Sequence, residues 1–162
     1  MFVALVAFSS TASTLTSNLL GAGLRDAITP MIKRSIQMAL IAIIPLWIIL
    51  LIFPTPIISI FTNEAATIAA CISPLRVLSL SFVVLIPGFI LFNCISGSGN
   101  TRSALALELF ALFFYTVYVG YAIFYQHCSL TVAWGADLLY SCTLLLGSTW
   151  YIKRANWLNK QI

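Results

Sequence analysis

Two stretches of this chain, Ile36–Phe53 and Val77–Phe92, run without a single formally charged side chain. Such runs belong either in a protein core or against lipid, and a chain of 162 residues holds too many of them for one soluble core. Composition points the same way. Hydrophobic residues make up 61% and charged residues 7%, where soluble domains have roughly 45–50% and about 25%. The eight basic and four acidic side chains gather at segment ends, which leaves too little charge to cover a water-facing surface. Inside hydrocarbon every backbone polar group must be paired within its own segment or by closing a barrel. The apolar residues do not alternate with polar ones, so helices are expected rather than barrel strands. The expected fold class is all-α, a polytopic transmembrane bundle of about five helices forming a single domain over 1–162.

Punctuating residues divide the chain. A first helix over about 1–20 stops at Gly21-Ala22-Gly23. Thr29-Pro30, a cap followed by a proline in the first helical position, opens a second over 30–53, with Pro45 in its middle. Ile57–Phe61 is too short to span and is expected to lie along the membrane surface. Thr62 or Asn63 caps a third helix over 65–95, which carries Pro74 and Pro87 and ends in Gly97-Ser98-Gly99-Asn100. A fourth covers 103–125, a fifth 131–152, and a tail 153–162 follows. Met1–Phe8 is apolar but lacks a basic flank and a cleavage site, so it reads as a chain starting at the edge of a helix, not as a signal peptide.

If the helices alternate in direction, Arg25, Lys33, Arg34, Arg102, Lys153, Arg154 and Lys160 fall on one side, seven of the eight basic residues. The links Pro54–Asn63 and Gln126–Leu130 on the other side contain none. The positive-inside bias assigns the basic side, and with it the C-terminus, to the cytoplasm. Trp150, Tyr151 and Trp157 near one boundary and Tyr121, Tyr125 and Trp134 near the other fit aromatic belts. The net charge of +4 is accounted for by orientation in a bilayer rather than by nucleic acid.

Three segments carry a family resemblance. Thr14–Gly23 resembles the "V-x-N-x-L-G-A-G" helix end of the multidrug and toxic compound extrusion (MATE) transporters. Ile52–Glu64 is similar to their "lFp…i…lFt-x-d/e" link, and Cys94–Arg102 to their "v-l-R-G-x-G-D-T-R" turn. The basic, tryptophan-bearing Tyr151–Trp157 looks like the family's C-terminal end. The resemblance covers essentially the whole chain. It implies part of one lobe of a twelve-helix protein, corresponding to helices 8 to 12, with the N-terminal lobe as missing partner and the central cavity incomplete without it. It also implies a secondary antiporter of the cell (inner) membrane that uses Na⁺ or H⁺ to export drug-like, often cationic compounds. Ser96 and Asn100 replace the arginine and aspartate of the family's turn, and Ser79–Phe92 lacks the carboxylate some relatives carry there, which puts cation coupling at that helix in question.

Ionisable residues inside a span face a cavity or a partner, because a charge at mid-bilayer costs at least about 2.5–3.5 kcal/mol. Asp137 reads either as a cation or proton site opening outward or as an interfacial carboxylate reached by water. Glu108 is expected to pair with a basic residue at the inner boundary, unless it serves the cation path. Arg76 either snorkels or pairs near the outer interface, or meets substrate. Tyr118, Tyr121 and Tyr125 share one helix face and either line a drug cavity or form a belt. Cys71, Cys94, Cys128 and Cys142 have no metal-ligand spacing and read as packing residues; His127 reads as a solvated loop residue. No cofactor or metal site is expected.

Two other functions are consistent with a membrane bundle: a lipid-linked oligosaccharide flippase of the same superfamily, which would line its cavity with basic residues, and a scaffold that transports nothing. An enzyme is disfavoured, since the chain has no H-E-x-x-H, no G-x-S-x-G and no paired intramembrane aspartates.

Overall fold

The computed structural model describes residues 1–124 and 130–154, and these form seven α-helices and no strand. They are α1 (Phe2–Gly21), α2 (Ile28–Ile52), α3 (Pro54–Ile58), α4 (Ala65–Gly97), α5 (Thr101–Phe124), α6 (Leu130–Ala133) and α7 (Gly135–Arg154). Tyr125, His127, Cys128, Trp157 and Lys160 lie outside the described residues.

Glycine ends two of the long helices by the same device. After α1, Gly23 adopts φ +74°, which lets Leu24 N–H reach Leu19 O at 2.9 Å and Gly23 N–H reach Leu20 O at 3.0 Å. These are the two crossed bonds that satisfy the last carbonyls of a helix. After α4, Gly99 at φ +84° plays that part, and Ser98 and Asn100 bond each other beneath the turn at 2.9 Å. Helix starts depart from expectation. A 3₁₀ turn, Arg25–Ala27, feeds directly into α2, so Thr29 and Pro30 occupy its first turn and Thr29 is not the cap. The proline fits there because first-turn N–H groups have no helical acceptor. Glu64, rather than Thr62 or Asn63, stands at the N-terminal boundary of α4, and its carboxylate accepts the Thr67 hydroxyl at 2.6 Å.

Among the described residues, α1, α2, α4 and α5 are long and apolar enough to cross a membrane. The outward faces are aliphatic and aromatic: Met38, Ile41, Ile49 and Ile52 on α2, and Leu105, Leu109, Phe113 and Val117 on α5, are all exposed. Lipid is the solvent such faces suit. α7 has 20 residues, enough at 1.5 Å each, yet falls short in hydropathy. Its buried stripe is Ala136, Ser141, Leu144 and Ser148. Small residues of this kind serve close helix packing, and α7 lies between α4 and α5, where lipid contributes less of its surroundings.

The long α4 is the axis of the bundle, packing against α1, α2, α5 and, most extensively, α7. Its apolar partners are Leu5 and Ala12 of α1 and Ile32, Ala39 and Ile43 of α2, gathered around Ile86, Ile90 and Cys94. Two glycines set how closely the helices approach. A Cβ at Gly88 would lie 3.1 Å from the Leu145 backbone of α7, and one at Gly97 would collide with the Ser13 backbone of α1. Cross-links between helices fix their direction. Ser17 Oγ donates to Gly97 O at 2.5 Å, and Tyr151 Oη to Ser103 Oγ at 2.9 Å. The ends of α1, α4 and α7 and the starts of α2 and α5 therefore meet at one end of the bundle, bringing Arg25, Lys33, Arg34, Arg102, Lys153 and Arg154 together. The helices alternate, as the charge count requires.

Candidate functional site

Two half-buried stripes that sequence periodicity alone does not pair come face to face in the bundle. On α5, Glu108 and Tyr115 are seven residues, two turns, apart and share a face. On α7, Asp137, Tyr140 and Ser141 fall at i, i+3 and i+4 and share another. Between these faces and α4 lies a cavity of about 500 Å³. Its polar lining is Ser81, Glu108, Asp137, Tyr140 and Ser141. Its walls are Phe2, Leu78, Phe82, Leu85, Phe89 and Trp134, with Phe2 of α1 and Phe89 of α4 closing one side at 6.3 Å between ring centroids. A second cavity of about 220 Å³ adjoins it and shares Asp137 and Trp134, with Tyr115 in its wall.

The carboxylates sit at different depths. Asp137 is in the first turn of α7, at the end of the bundle away from the basic residues. Glu108 is seven residues into α5 from the basic end, roughly 10 Å along the axis. Among the described residues, its hydrogen-bond partner is a tyrosine rather than the basic side chain expected at the inner boundary. Tyr140 Oη donates to Glu108 Oε1 at 2.8 Å, and Glu108 Oε2 is buried with no hydrogen bond among the described residues. The Tyr140 ring stands edge-on to Tyr115 at 6.4 Å. Ser81 and Ser141 spend their protons on helix carbonyls, Val77 O at 3.1 Å and Asp137 O at 2.7 Å, leaving hydroxyl lone pairs as acceptors in the cavity lining. The polar lining is thus rich in oxygen acceptors and, among the described residues, holds no basic side chain. Oxygen ligands of this type suit a small hard cation.

The other sequence-nominated residues are placed elsewhere. Arg76 is exposed and lines neither cavity. Trp47 Nε1 of α2 donates to Ser79 O at 2.7 Å, which levels the two helices, and Arg76 then lies within about a turn of the α2 terminus. A long basic side chain at such a level can reach the interface. Tyr118 donates to Val132 O at 3.0 Å, beside a break at Trp134 that divides the segment expected as one helix over 131–152 into α6 and α7. The break admits Tyr118, since a Cβ at Gly135 would lie 3.0 Å from its hydroxyl. Tyr121 is 55% exposed and lines neither cavity. The tyrosines that do line them, Tyr115 and Tyr140, carry one signal in the sequence: helical spacing from Glu108 and Asp137.

An antiparallel helical bundle with lipid-suited outer faces and a cavity holding two carboxylates is the architecture of a polytopic membrane protein. The MatE family model matches residues 1–122 of the 162, and the chain belongs to the MatE family, a family of membrane transporters. Glu108 is inside the matched portion, and Asp137 and Tyr140 follow it. Neither the curated proteins nor the solved structures yield a match.

Proposed function

We propose that this chain forms the second-half bundle, resembling helices 8 to 12, of a secondary active exporter in the cell (inner) membrane. Inward movement of Na⁺ or H⁺ drives amphiphilic, often cationic compounds outward, and the C-terminus is cytoplasmic. The observation that carries the reading is the cavity holding Glu108 and Asp137. A buried carboxylate oxygen with no hydrogen bond among the described residues, in a lining of oxygen acceptors and apolar side chains, is best stabilised by taking up a positive charge. An acidic lining favours cationic cargo over the anionic headgroup carried by a flippase.

The partner in this reading is the N-terminal lobe of the same transporter. α1 supports it, because Ser10, Thr11, Thr14, Ser17 and Asn18 are exposed along a helix whose most apolar window has mean hydropathy 1.3, against 2.5 for α2. Hydroxyl and amide groups facing outward from a membrane helix suit a water-filled passage or a facing helix better than lipid. With the basic end of the bundle facing the cytoplasm, the end of the cavity lined by Asp137 and the exposed Trp134 lies outward and is taken as its mouth.

The test is Asp137→Asn in the full-length transporter. Ion-driven export of ethidium, an amphiphilic cation, falls about tenfold, the size of effect expected when one charge-bearing ligand of a cation site is neutralised. Export unchanged in rate and in ion dependence removes Asp137 from the mechanism.

A further inference from the structure

Tyr140 joins the two carboxylate-bearing helices across the cavity. Its hydroxyl reaches from α7 to Glu108 Oε1 of α5 at 2.8 Å. Its ring is held in place by Tyr115, two turns along α5 from Glu108, so that Tyr115 and Tyr140 brace each other between the larger and the smaller cavity. With Oε1 engaged, the buried Oε2 is left as the free ligand of Glu108. Asp137 stands one turn from Tyr140 on the same α7 face, nearer the mouth.

We propose that Tyr140 is a positioning residue for ion coupling. It fixes the Glu108 carboxylate across the α5–α7 interface so that Oε2 meets a small cation that has passed Asp137. A carboxylate on a free rotor samples several orientations, and a cation must order it on binding; a hydroxyl bonded to one oxygen removes that penalty beforehand. The same bond ties cation occupancy to the spacing of α5 and α7, because a shift of either helix moves the carboxylate off its donor. The inference rests on the cation-coupled reading of the cavity and adds a role to a residue that carries no charge of its own.

The experiment uses full-length transporter in proteoliposomes, with ethidium export measured across a Na⁺ series and a pH series. Tyr140→Phe keeps the ring against Tyr115 and deletes the hydroxyl. The coupling-ion concentration for half-maximal export is expected to rise about tenfold, the value of one hydrogen bond to a charged group. The ethidium concentration for half-maximal export stays where it was, which a merely structural defect would not leave in place. An unchanged ion dependence in Tyr140→Phe, or a rise in the ethidium requirement as large as that for the ion, overturns the positioning role. A wild type that exports ethidium with no ion dependence overturns the coupled reading itself, and this role with it. The melting temperature of each purified variant, with and without Na⁺, separates these outcomes from loss of fold.

Discussion

Glu108→Gln is expected to reduce ion-driven export to the level of membranes that lack the transporter, while the protein still inserts and purifies. The substitution keeps the volume of the side chain and retains an oxygen for the Tyr140 hydroxyl, so the α5–α7 contact survives. It removes the carboxylate from a cavity whose lining also includes Phe82, Leu85 and Phe89, and in which Oε2 lies buried. A neutral amide in that wall holds a cation far less well than a carboxylate does, because charge assistance roughly doubles the strength of such contacts. Asp137→Asn acts nearer the mouth and leaves Glu108 in place, which is why its expected effect is the smaller. Uptake of ²²Na⁺ and of protons against ethidium efflux, in matched proteoliposomes, is the measurement. Wild-type coupling in Glu108→Gln would mean that the cavity is a packing feature only.

The second large effect concerns the fold. Gly97→Leu is expected to abolish folding of the bundle, and Gly97→Ala to weaken it severely. The Cβ of any residue at this position collides with Ser13 backbone atoms, not with the flexible tip of a side chain, so α1 and α4 can accommodate it only by separating. Separation also breaks the bond from Ser17 to Gly97 O and disturbs the turn in which Ser98 and Asn100 are buried. Overpacking a core costs about 1–3 kcal/mol where side chains can give way, and more where backbone is met. Gly120→Ala on α5 is the control, since its Cβ meets nothing within 4 Å. The melting temperature and monodispersity of purified protein should separate the two glycines clearly. Equal tolerance at both positions would refute the close approach of α1 and α4.

Much of the fold is legible in the chain because lipid imposes it. Uncharged runs of this length have few alternatives to helices, and Gly23 and Gly99 mark helix ends by a backbone conformation that other residues rarely adopt. The grouping of basic residues also follows from counting links, and the Ser17–Gly97 and Tyr151–Ser103 bonds bring the same ends together. What escapes a reading of the sequence is which faces meet. α4 is apolar nearly all round, so its pattern does not say that α7 is its principal neighbour. Nor does the run Thr131–Ile152 reveal the break at Trp134, which depends on Tyr118 reaching Gly135 from another helix.

The candidate site divides along the same line. Glu108 and Asp137 stand out in the sequence because ionisable residues within spans are rare, and both line the cavity. Arg76 stands out for the same reason, yet its side chain is directed outward near the α2 terminus. The Tyr118 and Tyr121 spacing selects a face of α5 other than the one Glu108 occupies, and Tyr125 lies outside the described residues. Tyr115 is seven residues from Glu108, whereas Tyr118 is ten, and on a helix that difference turns the ring away from the cavity. Periodicity measured from the charged residue, rather than among the aromatics, is the rule that finds Tyr115 and Tyr140.

The account depends most on helices that cross the bilayer alternately with their basic ends in the cytoplasm. Single cysteines introduced at Leu24, Ile60, Phe61 and Thr101, all exposed, test it in a full-length background from which the native cysteines have been removed. In intact cells a membrane-impermeant maleimide should label positions 60 and 61, and reach 24 and 101 only after the membrane is opened. Labelling of 24 and 101 from outside, with 60 and 61 protected, would invert the bundle and contradict the outward-opening cation cavity.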